Sequence, residues 1–189
     1  GCPVLYRHTK SEPAQAEALE LWHVSKTKYR LNRNDVPVPF VISHGDSVNK
    51  ISLSVLICSD LLDIERRSAL RGRIDLLVVP AWNQDVKTYS ALVDAAAYDI
   101  HTYVALCNSR TYGDTRLRSP AKAEYARDIV RLRGGRDDFF VVGEIDVEML
   151  RRFQSGHDSC NNMFKPVTIG FAMSKDRRRL PLVCHSGQL

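Results

Sequence analysis

The chain has 189 residues, a net charge of +5, 44% apolar and 26% charged residues, which is too apolar for disorder and long enough for one domain with a substantial core. It lacks any apolar run of membrane-spanning length and opens with no signal-peptide pattern, so no membrane association is expected. Its five cysteines, an odd number with no CxxC pair, argue against a disulfide framework and a four-cysteine zinc site, and point to the reducing cytoplasm.

Residues 12–20, rich in Ala, Glu and Gln, read as a short helix or a surface hairpin. The apolar runs 38–44 and 51–58 flank Gly45, Asp46 and Ser47, a turn composition that predicts two paired strands. In the second run Ile51, Leu53, Val55 and Ile57 alternate with Ser52 and Ser54, then both faces become apolar, as in a buried central strand. A polar turn over 59–63 leads into a helix over 64–70, with Gly72 as its stop. The next strand, 75–79, runs into Pro80, Ala81 and Trp82. Val86, Tyr89, Val93, Ala96 and Ile100 then recur on one helical face, with Asp85 at its start and His101 at its end. A strand over 102–107, a polar and basic irregular stretch over 114–136, a strand over 139–145 and a helix over 147–153 follow. Residues 154–189 read as an irregular basic tail carrying Arg177, Arg178 and Arg179. The alternation predicts an α/β fold with a largely parallel sheet covered by helices, in a single domain spanning 1–189.

Cys58 closes a buried strand just before a turn. Parallel sheets present their chemistry at the carboxyl ends of strands, and a thiol at a helix start meets the positive end of the dipole. Backbone N–H groups beyond it are placed to hold an oxyanion. The competing reading is a small buried core thiol, the commoner fate of a lone cysteine. Ser59, Trp82, Asn83 and Asn108 are candidate pocket residues, with a core Trp and a turn Asn as their ordinary alternatives. His157 and Cys160 lie far from Cys184 and His185, and the latter two are adjacent, a poor ligand geometry; no metal or cofactor is expected. Gly134 and Gly135 between Arg131, Arg133 and Arg136 make a basic turn, not a phosphate loop.

The run Val55, Leu56, Ile57, Cys58, Ser59, Asp60 resembles the nucleophile strand of the nitrilase, or carbon–nitrogen hydrolase, superfamily, and Lys28, Tyr29, Arg30, Leu31 resembles its lysine motif. The strand, helix and strand ending in Asn108, and the apolar–Glu–Ile–Asp pattern within 139–150, are similar to its later elements; the resemblance spans about 22–153. It implies an α–β–β–α sandwich that self-associates. It also implies hydrolysis of a non-peptide amide or nitrile C–N bond in a small molecule, with Cys58 forming a thioester acyl-enzyme and Lys28 stabilising the oxyanion. Lys26 competes with Lys28, whose spacing to Leu31 fits better. The family's general-base Glu lies on a strand well before the lysine motif. Glu12, Glu17 and Glu20 are too close to Lys28 and lack that context, so the first strands with that Glu are expected to be missing from this chain, or the domain to be inactive. The stretch Tyr112 to Pro120 and the Arg-rich tail are similar to nitrilase-like domains fused behind bacterial reverse transcriptases, which implies such a domain on the same polypeptide and nucleic-acid contact through phosphates. Two readings therefore compete: a thiol hydrolase, and an inactive nitrilase-like module that self-assembles or contacts nucleic acid.

Overall fold

The computed structural model describes residues 8–11, 13–27, 36–43, 50–156 and 162–179. After helix α1 (Gln15–Ser25) come strands β1 (Phe40–Ser43) and β2 (Lys50–Val55), helix α2 (Ile64–Ala69) and strand β3 (Leu76–Ala81). Helix α3 (Val86–Ala96), strands β4 (Tyr103–Asn108), β5 (Thr115–Arg118) and β6 (Asp128–Leu132), and helix α4 (Val147–Gln154) follow. The six strands form one sheet in chain order. Its centre, β2–β3–β4, is parallel, with Leu53 beside Leu76 and Leu76 beside Tyr103; β1 is antiparallel at one edge, and β5 and β6 at the other. The sheet is thus parallel only where helices make the crossovers.

Aspartates start three of the helices. Asp63, Asp85 and Asp146 each accept a hydrogen bond from a backbone N–H of the first turn, which stabilises each helix by about 1 kcal/mol. Successive right-handed crossovers put α2 and α3 on one sheet face. There Leu77, Val79, Val104 and Leu106 pack with Leu56, Leu61, Leu70, Tyr89, Val93 and Ile100 in a closed core. Burying each large aliphatic side chain contributes roughly 1.5–3 kcal/mol. On the opposite face α4 covers only part of the sheet, where Leu150 packs with Tyr103, Phe164 and Leu76. Further along that face Val55, Val78, Ala105, Leu117 and Val130 are register partners in one row across five strands, and all five are only half-buried.

Beyond the core, two ionic clusters fix the sheet's ends. Asp75, 0% exposed, accepts hydrogen bonds from the Ser52 N–H and from the guanidinium groups of Arg151 and Arg177. His101 lies beside this cluster, stacked on Phe153 and bonded through Nε2 to the Lys165 carbonyl. The second cluster joins Arg116, Arg118 and Arg131 of the β5–β6 pair to Asp94, Asp114 and Asp128.

Several expectations change. The stretch 114–136 is not irregular, because it holds β5 and β6; Arg116 and Arg118 occupy core-side positions of β5, paired with aspartates, which masks its strand alternation. Conversely, 139–145 forms no strand. It crosses the half-covered sheet face, where Gly143 abuts Leu117 and Val130, and so finds no strand edge to join; Phe140 is 93% exposed. Nor is the basic run after 154 uniformly solvated, since Arg177 is 1% exposed and Arg179 pairs with Glu148. Among the described residues, no helix is long and apolar enough to cross a membrane. Cys2, Glu12, Lys28, His157, Cys160, Cys184 and His185 lie outside the described residues.

Candidate active site at the carboxyl ends of the central strands

Strand β2 stops at Val55, and Leu56 still bonds to β3 through the Val78 carbonyl before the chain turns sharply. The turn is Cys58 itself, whose φ of 50° places a residue with a side chain in the left-handed region. Such a conformation costs on the order of 1–2 kcal/mol and is found at sites where the surrounding structure enforces it. Asp60 does the enforcing. Its buried carboxylate accepts the Ile57 N–H at 3.2 Å and, across the chain, the Ser11 N–H at 3.0 Å. The acidic residue two positions after the cysteine therefore acts as a clamp on the turn.

Two parts of the sequence expectation for Cys58 need correction. The helix that follows is a single 3-10 segment, Cys58–Leu62, too short to supply a useful dipole. And the Asp60 N–H donates to the Ile57 carbonyl, so it is not available to an oxyanion. The thiol itself is buried, and its Sγ lies 3.4 Å from the Tyr89 hydroxyl on α3. Ser59, directly beyond it, is buried as well.

The ends of β3 and β4 meet beside this turn. The Asn83 N–H donates to Asn108 Oδ1 at 2.9 Å, and Asn108 Nδ2 donates to the Asn83 carbonyl at 2.9 Å and to the Gly113 carbonyl at 2.8 Å. Asn108 thus clasps the loop after β3 to the loop after β4. The Asn83 side chain neighbours Tyr89, with its Oδ1 accepting the Asp85 N–H at 2.6 Å. The Cys58–Tyr89 pair thus sits beside the Asn83–Asn108 clasp. Trp82 stands outside it, 73% exposed, with its ring 6.4 Å from that of Tyr112. A cavity of about 210 Å³ opens beyond β4, lined by Asn108, Gly113 and Phe139 and by both signs of charge, Arg110 and Arg133 with Asp137 and Asp138, of which Arg110 and Asp138 pair at 3.1 Å.

This architecture has counterparts among solved structures. A cysteine-to-alanine mutant of the Nesterenkonia AN1 amidase from the nitrilase superfamily superposes with a TM-score of 0.50 at 18% identity, over 69% of this chain and 47% of that one. The fold is nitrilase-like. A cysteine-to-serine mutant of the same amidase gives a TM-score of 0.49 at 18% identity, over 70% of this chain and 49% of that one. The chain spans about half the length of these structures. No protein-family model matches the sequence, and no curated protein matches it.

Set in that nitrilase-like frame, Cys58, Asn83 and Asn108 come together at one end of the sheet, Trp82 stands at its rim, and Lys28 lies outside the described residues. Sequence reasoning missed Tyr89, which it placed only on the core face of a helix. The available signal was that Tyr89 is the one side chain with a polar tip among Val86, Tyr89, Val93, Ala96 and Ile100, and it sits in the first turn after a strand end.

Proposed function

We propose that the chain is a carbon–nitrogen hydrolase domain in which Cys58 attacks the carbon of a small non-peptide amide or nitrile. The observation that carries this reading is the buried thiol of a residue forced into the left-handed region at the carboxyl end of a central parallel strand. With an amide, attack forms a C–S bond, the C–N bond breaks, and the thiol proton passes through a general base to the departing nitrogen; with a nitrile, attack forms a thioimidate, and one water must add before the nitrogen leaves as ammonia. Either route gives a thioester, which a further water hydrolyses to the acid and the free thiol. In this reading Lys28 offsets the charge on the tetrahedral oxygen, and a Glu carboxylate, as the family resemblance implies, serves as the base. Ser59, Asn83 and Asn108 shape the pocket floor and Trp82 its rim. The finer fold, an α–β–β–α sandwich, is supported by the half-buried apolar row from Val55 to Val130, which suits a second sheet packed on that face.

The test is to incubate the protein with short aliphatic amides and nitriles, measuring ammonia release and the intact mass. A covalent acyl adduct on Cys58, absent in Cys58→Ala, is expected. If neither adduct nor ammonia forms with any member of the panel, the enzyme reading falls.

A second reading, an inactive nitrilase-like module, is favoured by α1, which buries none of its residues and leaves Leu19, Trp22 and Val24 exposed, as an interaction helix would. In that reading the partner is another copy, a reverse transcriptase domain on the same polypeptide, or nucleic acid held by the basic turn around Arg133 and Arg136. Affinity for single-stranded nucleic acid that fell steeply with added salt would support the last of these, and salt-independent binding would sink it.

A further inference from the structure

The Cys58 thiol has a partner that the chemistry above leaves unused. Tyr89 is 4% exposed, lies in the first turn of α3, and its hydroxyl is 3.4 Å from Sγ. While both groups are protonated either can donate, but a thiolate can only accept, so once Cys58 is ionised the phenol O–H is the donor. Asn83 neighbours this phenol, and its Oδ1 is fixed by accepting the Asp85 N–H at 2.6 Å. Burial first, and then the adjacent thiol, push the Tyr89 hydroxyl far above the ordinary phenol range, so it keeps its proton, and can donate, near neutral pH.

We propose that Tyr89 is a catalytic hydrogen-bond donor to the Cys58 thiolate, held in register by the Asn83–Asn108 clasp. The inference rests on the reading of Cys58 as the nucleophile. The donor stabilises the anion before attack and fixes the direction of Sγ, while the Tyr89 proton stays on its own oxygen throughout. The clasp gives the arrangement its precision. Asn83 is held by backbone and side chain at once, Asp85 caps α3 through the Thr88 N–H at 3.1 Å, and Tyr89 rides on that same first turn. A shift of the loop after β3 or β4 is thereby transmitted to the thiol. Among the described residues Asp60 also faces this pair, and its negative charge opposes ionisation of Tyr89.

The experiment is the pH profile of iodoacetamide alkylation at Cys58, resolved by mass spectrometry, in wild type, Tyr89→Phe and Asn83→Ala, with Cys107 as the internal control. Tyr89→Phe is expected to raise the midpoint of the Cys58 profile by about one pH unit, so that reactivity near neutral pH drops roughly tenfold, with the Cys107 profile unmoved. Asn83→Ala is expected to shift it in the same direction by less. A wild-type Cys58 with an acid-shifted profile that neither variant moves would overturn the role of Tyr89 while leaving the nucleophile reading intact. If wild-type Cys58 reacts no faster than Cys107 across the range, the nucleophile reading itself fails and the donor role with it. Should Tyr89→Phe fail to fold, the Asn83→Ala profile decides the matter alone.

Discussion

Asp75→Asn is the substitution that most directly probes how this sheet is held. Asp75 is fully buried, and it binds Arg151 on α4, Arg177 in the C-terminal segment and the backbone of β2 at Ser52. One carboxylate therefore ties three separate parts of the chain. Asparagine keeps the shape but removes the charge, leaving two buried guanidinium groups with no anion between them. Removing one member of a buried ion pair typically costs about 3–5 kcal/mol, against a total stability on the order of 5–15 kcal/mol. With a urea slope of roughly 2 kcal/mol per molar, the midpoint should drop by about 2 M. Equilibrium urea unfolding followed by circular dichroism measures this. Arg177→Met leaves Asp75 still paired with Arg151, so it should cost less than Asp75→Asn, and the double variant should cost less than the two single effects added. The reasoning is refuted if Asp75→Asn lowers stability by under about 1 kcal/mol, or if Arg177→Met proves the costlier change.

The same cluster sets the acid behaviour. Burial alone would raise the Asp75 carboxyl, but the Arg151 hydrogen bonds, the Arg177 charge and the Ser52 N–H together hold it below its ordinary value. Its contribution is therefore complete above the unfolded value near pH 4 and lost as pH falls through the lower folded one, so an acid-unfolding curve should keep its steepest fall below pH 4, and Asp75→Asn should flatten that limb. His101 is pushed down by burial, with the Lys165 carbonyl opposing, so the folded state disfavours its cation. Stability should decline as pH falls below about 6.5, by up to roughly 1.4 kcal/mol per pH unit, and equal slopes in wild type and His101→Gln would contradict this. Cys58→Gly should be the more stable of two truncations, exceeding Cys58→Ala by about 1 kcal/mol in thermal unfolding, because glycine relieves the left-handed turn; the reverse order would show that the turn is not enforced. At Gly72, φ is 70° and an added Cβ would lie 2.0 Å from the Ala172 carbonyl oxygen, so Gly72→Ala should cost more than about 2 kcal/mol, and a neutral result in urea unfolding would refute that contact.

The central βαβαβ unit was legible because its chemistry is periodic. Leu77, Val79, Val104 and Leu106 alternate toward one face, and Tyr89, Val93, Ala96 and Ile100 meet them at helical spacing. Strand β5 was hidden because its buried positions hold Arg116 and Arg118, which read as surface until Asp94, Asp114 and Asp128 are seen beside them, and β6 because it is an edge strand with Arg131 exposed. The run Phe139–Val142 misled for the converse reason: strand composition needs an edge to pair with, and its neighbours lie elsewhere in the sequence. At the site, the position of Cys58 after a buried strand was readable from pattern. Its left-handed backbone was not, since cysteine has no preference for that region and the enforcing Asp60–Ser11 bond spans the chain. The polar tip of Tyr89 on an apolar helical face was a signal, but its contact with the thiol depends on how far α3 leans toward the end of β2.

Strand β3 begins one residue after Asp75 and ends one residue before Trp82. At about 3.3 Å per residue the strand holds the ionic cluster nearly 20 Å from the loop after β3 that carries Asn83. Substitutions that retune the loops after β3 and β4 are therefore expected to leave the Asp75 bonds to Arg151 and Arg177 in place. The domain can therefore vary its chemistry at one rim while its cohesion is set at the other.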